Sequence, residues 1–112
     1  MTQHDPTVRL RHMLDHANEA IALLAGKSKS DLFADRILEL ALVRLIEIIG
    51  EAASRVPPNI QSVCPSVPWK DIIGMRHRLI HGYDSVDLDR LWDTIKTDLP
   101  DLIKELSRCF KD

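Results

Sequence analysis

The chain has 112 residues, a formal net charge of −2 at pH 7, 45% hydrophobic residues and 4% aromatic residues. This length predicts one domain with a single core, residues 1 to 112, and the apolar content is too high for a disordered chain. A charge this close to zero excludes a basic coat over the whole chain, of the kind that binds nucleic acid without specificity. The few aromatics and only four glycines argue against a β-sandwich or β-barrel.

The cysteines and the N-terminal residues bear on the compartment. Cys64 and Cys109 lie far apart in the sequence and form no CxxC pair, so we expect neither a zinc ribbon nor a disulfide scaffold. Two lone cysteines are typical of a reducing cytoplasm. Residues 1 to 6 lack the apolar region of a secretory signal, and no apolar stretch is long enough to cross a membrane. These features predict a soluble, cytoplasmic protein without a membrane partner.

Two helices are predicted in the first half of the chain. Asp5 and Pro6 resemble an N-cap followed by proline at the first helical position, and apolar residues then recur with the helical period up to Gly26. A second helix is predicted to begin at Ser30 and to run without interruption to about Arg55. This helix has apolar residues on more than one side, which indicates either a central helix or one that meets a second copy of the protein.

The second half predicts a loop and two further helices. Four prolines between residues 56 and 68 exclude regular helix there. A third helix is predicted over residues 69 to 81, ending near Gly82. Asp87 is the predicted N-cap of the last helix, which Pro100 must kink or split. The sequence therefore predicts an all-α bundle of four to five helices.

The third helix places a charged side chain among apolar ones. On a helical wheel, Arg76 falls in the middle of the apolar stripe, where an unpaired arginine is almost never found. Either it pairs with a carboxylate of another helix, for which Glu47 and Glu51 are candidates, or the stripe lines a cleft. A paired arginine of this kind is common and can be purely structural.

Two histidines follow this arginine on the same predicted helix. His77 and His81 are four residues apart and therefore neighbours, and Tyr83 follows just past the predicted helix end, where it can fold back over the arginine. A metal site is a weak alternative, because a histidine pair without a third ligand rarely suffices. Arginine binds phosphodiesters through its planar fork, and histidine exchanges protons near neutral pH. Since RNA carries its own nucleophile in the 2′-hydroxyl, these groups could cut RNA without a metal.

This pattern resembles a known family. Arg76, His81 and Tyr83 match the R-x4-H-x-Y signature of HEPN ribonucleases, in particular the HepT-like toxins, and His77 is a small polar residue of the type usual after the arginine. The short signature is degenerate alone, but the flanking segments also resemble the family over most of the chain. These segments are Ile49-Gly50-Glu51-Ala52, Val67-Pro68-Trp69, Ile72-Ile73-Gly74-Met75 and Asp98-Leu99-Pro100.

The resemblance implies a fold, a site and a reaction. It implies a HEPN-type bundle that forms a homodimer through the motif-bearing helices, with RNA such as tRNA or mRNA cut in the cleft between two motifs. The activity would be that of a metal-independent endoribonuclease, without any cofactor. His81 would exchange the 2′-hydroxyl or leaving-group proton, Arg76 would stabilise the charge on phosphorus, and His77 would support them.

The resemblance also implies a partner. HepT-like toxins belong to toxin–antitoxin pairs of type II or type VII character, whose antitoxin is a minimal nucleotidyltransferase (MNT). Tyr83 would be the residue that the antitoxin modifies with AMP (AMPylation), and the added phosphate would block the cleft by repulsion and bulk. The alternative is a non-catalytic helical module that binds a nucleotide or the transferase. Residues 69 to 83 carry an excess of two positive charges, so the acidic remainder of the chain would surround one basic segment.

Overall fold

The computed structural model describes residues 6 to 82 and 85 to 110. These residues form an all-α bundle with one short antiparallel β-pair, which confirms the predicted fold class. In chain order the elements are α1 (Pro6–Leu24), α2 (Lys29–Phe33), α3 (Arg36–Ser54), α4 (Pro58–Gln61), α5 (Trp69–Ile73), α6 (Met75–Leu79), β1 (Ile80–His81), β2 (Ser85–Val86), α7 (Leu88–Asp93), a π-helical segment (Thr94–Asp98) and α8 (Leu99–Phe110).

Helix α3 lies at the centre of the bundle. It contacts α1, α2, α5, α6 and α7, and Leu42, Ile46 and Ile49 on it are completely buried. Burial of this kind on several sides requires apolar residues around most of the helix, as the sequence of α3 provides. The first of the two predictions for this helix, a central position, is therefore confirmed, and it makes α3 the support for the elements that follow.

The prediction of an uninterrupted second helix is wrong. Helix α2 ends at Phe33, and Asp35 begins α3 as its N-cap, with one carboxylate oxygen accepting a hydrogen bond of 3.0 Å from the backbone N–H of Leu38. Ser28 and Asp31 form a capping box at the start of α2. Aspartate stabilises a helix start when its side chain accepts a hydrogen bond from a free backbone N–H, but it also occurs inside helices. The apolar periodicity alone therefore did not place this break.

The predicted continuous third helix is also wrong. Gly74 separates α5 from α6, and the chain leaves the helix after Leu79 to form β1, which pairs with β2 through Ile80–Val86 and His81–Ser85. Gly82 has a φ of 72°, a left-handed value that favours glycine and turns the chain between the two strands. The helical periodicity up to His81 therefore runs across one helix break and into a short strand. His81 lies on a strand rather than on a helix.

Prolines determine where helices begin and break in residues 56 to 68 and around Pro100. The expectation of no helix in residues 56 to 68 is wrong at Pro58–Gln61, because proline fits the first helical position, where its missing N–H costs nothing. Asp87 caps α7, as predicted, and its side chain accepts from the N–H of Arg90. The π-helical segment immediately before Pro100 confirms that the last helix is split.

Cys64 and Cys109 form a disulfide that joins the loop after α4 to α8 across 45 residues of sequence. The expectation of two unpaired cysteines is therefore wrong, because the fold brings together residues that the sequence separates widely. Trp69 fixes the same loop, since its indole N–H donates to the carbonyls of Gln61 and Cys64 at 3.1 Å each. None of the helices formed by the described residues is long and apolar enough to cross a membrane.

Candidate active site

A close approach of α5 to α3 sets the position of the predicted site. A Cβ atom placed on Gly50 of α3 would lie 3.3 Å from the carbonyl oxygen of Ile72 and 3.4 Å from that of Ile73. These distances are tighter than ordinary contacts, so only glycine lets the two helices pack this closely. Helix α6 follows directly on α5, and it therefore lies beside the exposed side of α3 one turn before Gly50.

Arg76 on α6 is held by a carboxylate of α3. Its Nε donates a hydrogen bond of 2.5 Å to Oε2 of Glu47, one of the two partners considered from the sequence; the other, Glu51, pairs with Arg55 at 2.9 Å. The Arg76 side chain is 48% exposed, which differs from the buried position on the wheel because α6 starts anew after Gly74. One edge of the guanidinium is fixed by Glu47, and the remainder faces solvent.

Glu47 is shared between two arginines. Its Oε1 lies 3.7 Å from Nη1 of Arg44, one turn earlier on α3, while its Oε2 binds Arg76. Only 28% of the Glu47 side chain is exposed. A partly buried carboxylate between two guanidinium groups is well compensated, and it fixes Arg76 more firmly than a flexible surface pair would.

His81 lies on β1 beside the carboxylate that caps α7. Its Nε2 is 3.8 Å from Oδ2 of Asp87, and the imidazole is 65% exposed. The other oxygen of Asp87 accepts the backbone N–H of Arg90 at 3.0 Å. This backbone hydrogen bond, and then the proximity of His81, hold the pKa of Asp87 below its usual range. Asp87 is thus an ionised carboxylate beside the imidazole.

The sequence predicts Asp87 only as a helix cap and does not reveal its position beside His81. The contact arises because β1 pairs with β2, the strand immediately before Asp87, and the N–H of Asp87 also donates to the carbonyl of Leu79 at 2.7 Å. In the sequence, this contact is signalled by Gly82, which directly follows His81, and by the capping residue Asp87.

The remaining predicted site residues are less constrained. His77 is exposed on α6, and its imidazole makes no hydrogen bond or ion pair within the part of the chain that the structure describes. Tyr83 lies outside the described residues. Over residues 6 to 82 and 85 to 110, no group of three or more His, Cys, Asp or Glu side chains is placed to hold a metal ion. Arg78 is directed away from this site and donates to the carbonyl of Asp71 at 3.0 Å.

Comparisons with known proteins agree with the resemblance of the motif. Residues 13–109 match the model of the family described as Ribonuclease HepT-like. A candidate RNase of Methanocaldococcus jannaschii is 31% identical over 112 residues, which cover 100% of this chain and 93% of that protein. A candidate RNase of Caldanaerobacter subterraneus is 39% identical over 101 residues, covering 90% of each chain.

A further relative carries the family name itself. A probable ribonuclease HepT of Thermococcus cleftensis is 37% identical over 93 residues, or 80% of this chain and 84% of that protein. No solved structure matches the chain. The family match spans every element from the middle of α1 to the end of α8, including α6 and β1 with Arg76 and His81. The chain therefore belongs to the HepT-like ribonuclease family, within the HEPN proteins.

Proposed function

We propose that this protein is a metal-independent endoribonuclease whose catalytic residues are Arg76 and His81. The observation that carries the proposal is the pair of exposed groups on α6 and β1: a guanidinium held at one edge by Glu47, and an imidazole beside the ionised Asp87. A half-exposed guanidinium with free donors suits a phosphodiester. An exposed imidazole reaches the proton of a bound ribose hydroxyl or of a leaving group.

The reaction that these groups support is transfer to the 2′-oxygen of RNA. Neutral His81 removes the 2′-hydroxyl proton while that oxygen attacks phosphorus and the bond from phosphorus to the 5′-oxygen breaks. The leaving 5′-oxygen takes a proton from a second imidazole or from water, giving a 2′,3′-cyclic phosphate and a 5′-hydroxyl. Arg76 stabilises the negative charge that develops on the phosphoryl oxygens, and exposed His77 supports substrate positioning.

The test is cleavage of tRNA or total RNA in the presence of EDTA. We expect the wild type to cut, and His81→Ala to cut at least ~100-fold more slowly, which is the usual contribution of a general acid or base. His16→Ala, a histidine on α1 away from the motif, is the matched control and should retain wild-type rates. Intact RNA with the wild type, or equal cleavage by His81→Ala, would contradict the proposal.

We also propose that the active form is a homodimer. Helix α3 leaves Ile37 and Leu40 exposed, at 81% and 51%, and Ile73, the last residue of α5, is 40% exposed. Exposed large apolar residues such as Ile37 and Leu40, one turn apart on α3, are typical of interaction surfaces, and a two-fold pair would use the same surface on both copies. We further propose, as the family resemblance implies, that this dimer also turns the two motifs toward each other, so that one His81 acts as base and the other as acid.

The proposed biological role is that of a cytoplasmic toxin, since tRNA and mRNA are found there, neutralised by an MNT antitoxin. The antitoxin would join the Tyr83 hydroxyl to the α-phosphorus of ATP, releasing pyrophosphate and a proton. The support is the position of Tyr83, two residues after His81, where an AMP group would compete with the RNA phosphate.

Mass spectrometry tests the modification of Tyr83. After incubation with the neighbouring transferase and ATP, we expect an AMP adduct on Tyr83 and none on Tyr83→Phe, with loss of RNA cleavage in proportion to the modified fraction. An adduct on another residue would contradict the role of Tyr83. If RNA stays intact throughout while the complex with the transferase still forms, the protein is instead a non-catalytic module that binds its partner.

A further inference from the structure

A second basic site lies between α1 and α3, outside the motif. It is a cavity of about 270 Å³ whose charged lining consists of Arg9 and His12 from α1, Arg44 and Glu51 from α3, and Arg55, the C-cap residue of α3. Ile48 and Ala52 form its apolar floor. Neither the sequence pattern nor the family signature pointed to this cavity, because its lining residues come from two helices that are well separated in the sequence.

The cavity has more positive charge than its own residues neutralise. Three guanidinium groups face one carboxylate, and that carboxylate, Glu51, is bound to Arg55 at 2.9 Å. Among the described residues, Arg44 has only a long ion pair of 3.7 Å with Glu47, which binds Arg76 more closely. Within the described part of the chain, Arg9 has no carboxylate partner. An excess of partly free guanidinium groups around a concave site attracts an anion.

The cavity and the catalytic motif lie on the same side of α3. Arg44 lines the cavity, and Glu47 one turn later lies between it and Arg76. The two basic sites are therefore separated by a single carboxylate, and both open to solvent, since the side chains of Arg44 and Arg55 are 70% and 60% exposed. A single RNA strand with one phosphate on Arg76 can place a neighbouring phosphate at the cavity, because successive phosphates are closely spaced along the strand.

We propose that this cavity, formed by Arg9, Arg44 and Arg55, binds a backbone phosphate of the RNA next to the scissile one. The proposal deepens the proposed ribonuclease function and rests on it. Guanidinium groups bind phosphate oxygens with two parallel hydrogen bonds, and contacts to phosphates position a nucleic acid without reading its sequence. The cavity would thus fix the strand so that the bond at Arg76 and His81 is the one that is cut.

The first experiment measures binding of a single-stranded oligoribonucleotide by fluorescence anisotropy, with His81→Ala in every protein so that the RNA stays intact. We expect Arg9→Ala and Arg55→Ala each to weaken binding by roughly tenfold. The slope of log K against log salt should become shallower by about 0.7 for each phosphate that the variant no longer binds. Arg108→Ala is the matched control, because Arg108 is an exposed arginine on α8 paired with Glu105.

The second experiment compares substrates of different length in cleavage assays. A dinucleotide has only the scissile phosphate, so Arg9→Ala should cut it at the wild-type rate, whereas the KM for a longer oligonucleotide should rise by roughly tenfold without a comparable change in kcat. A merely structural role of Arg9 would slow both substrates equally. Equal loss on both substrates would therefore overturn the phosphate site.

The outcomes separate this proposal from the proposed function. If RNA is cut but Arg9→Ala and Arg55→Ala bind it like Arg108→Ala, the phosphate site is wrong and the ribonuclease stands. If RNA is bound, and bound more weakly by Arg9→Ala, but is never cut, the site stands and the ribonuclease is wrong. If RNA is neither bound nor cut, both proposals fail.

Discussion

The guanidinium of Arg76 combines two requirements that usually conflict at a surface. In its proposed catalytic role, Arg76 must keep a fixed direction, yet it must leave donors free for the substrate. Glu47 meets both, because it binds Nε alone and is itself partly buried and paired with Arg44. The helical wheel predicted either a carboxylate partner or a cleft for Arg76, and it could not choose between Glu47 and Glu51, because that depends on how α6 crosses α3.

The first prediction concerns Glu47 as a positioning residue. Glu47→Ala should lower kcat by about tenfold, because one charge-assisted hydrogen bond no longer directs Arg76. The KM should change little or fall, since removing a carboxylate does not weaken phosphate binding. Glu47→Gln retains an acceptor for Nε and should recover most of the rate, as measured by steady-state cleavage of a labelled oligoribonucleotide.

Glu51→Ala is the matched control for this prediction. Glu51 lies one turn further along the same face of α3 and pairs with Arg55 rather than Arg76. Its removal should leave kcat near the wild-type value. A loss of kcat in Glu51→Ala as large as in Glu47→Ala would show that charge on this face, rather than the direction of Arg76, is what the reaction needs.

The second prediction concerns the pH dependence of stability at Asp87. Its pKa is depressed in the folded protein, chiefly by the N–H of Arg90 and then by His81. A depressed carboxyl pKa stabilises the fold above the unfolded pKa, and this contribution disappears as the pH falls through the folded value. Asp87→Ser keeps an N-cap but removes the charge, so its free energy of unfolding should fall less on acidification than that of the wild type.

Urea unfolding at about pH 7 and about pH 3, on either side of the ordinary aspartate pKa, measures this difference. The gap between wild type and Asp87→Ser should be larger at the higher pH. Asp35→Ser makes the same exchange at the N-cap of α3, away from His81, and shows what capping alone contributes. An identical acid response of Asp87→Ser and the wild type would contradict the charge effect.

At the scale of elements, periodicity predicted what is buried better than where helices break. Apolar spacing identified α1, the central α3 and the amphipathic last helix, because each buries a continuous stripe. The breaks at Asp35 and Gly74 and the strand at Ile80–His81 depend on capping, close packing and pairing with Ser85–Val86. Those are tertiary effects, and local spacing does not contain them.

The third prediction concerns the contact between α3 and α5. Gly50→Ala adds a methyl group 3.3 Å from the carbonyl of Ile72, so the two helices must separate. We expect a loss of about 1–3 kcal/mol in the free energy of unfolding. We also expect a fall in kcat of roughly tenfold, since α6 and Arg76 move with α5. Chemical unfolding and cleavage kinetics measure the two effects.

Gly26→Ala is the matched control for that glycine. Gly26 has a φ of 76° and nothing within 4 Å of an added Cβ, so alanine there is strained by about 1–2 kcal/mol without touching the motif. Its stability should fall to a similar extent, while kcat at a temperature where both variants are folded stays at the wild-type value. Equal kcat in Gly50→Ala and Gly26→Ala would show that the close contact serves stability alone.

For the whole molecule, the net charge of −2 conceals an uneven distribution. The exposed side of α3 carries the Arg44–Glu47–Arg76 cluster and the cavity of Arg9 and Arg55 at its C-terminal half, while Ile37 and Leu40 lie exposed at its N-terminal half. Composition could exclude a general basic coat, but only the fold could show that the basic groups of α1, α3 and α6 meet on one side.

The fourth prediction follows from this division of α3 into an apolar and a charged half. If the apolar half joins two copies about a two-fold axis, a charge at Ile37 or Leu40 is buried beside its symmetry-related copy. Ile37→Glu and Leu40→Glu should therefore weaken the dimer by roughly 100-fold or more, because an unpaired carboxylate in an apolar interface is strongly unfavourable. Light scattering after size-exclusion chromatography measures the mass, with cleavage rates recorded over the same concentrations.

Val63→Glu provides the comparison, since Val63 is 70% exposed in the loop after α4, away from α3, and its exchange should leave the dimer intact. Because one His81 is proposed as base and the other as acid, the rate of the α3 variants should rise with protein concentration as the dimer re-forms. A wild-type monomer that cuts RNA at full rate would contradict this coupling, and it would require each copy to exchange both protons with a single imidazole and water.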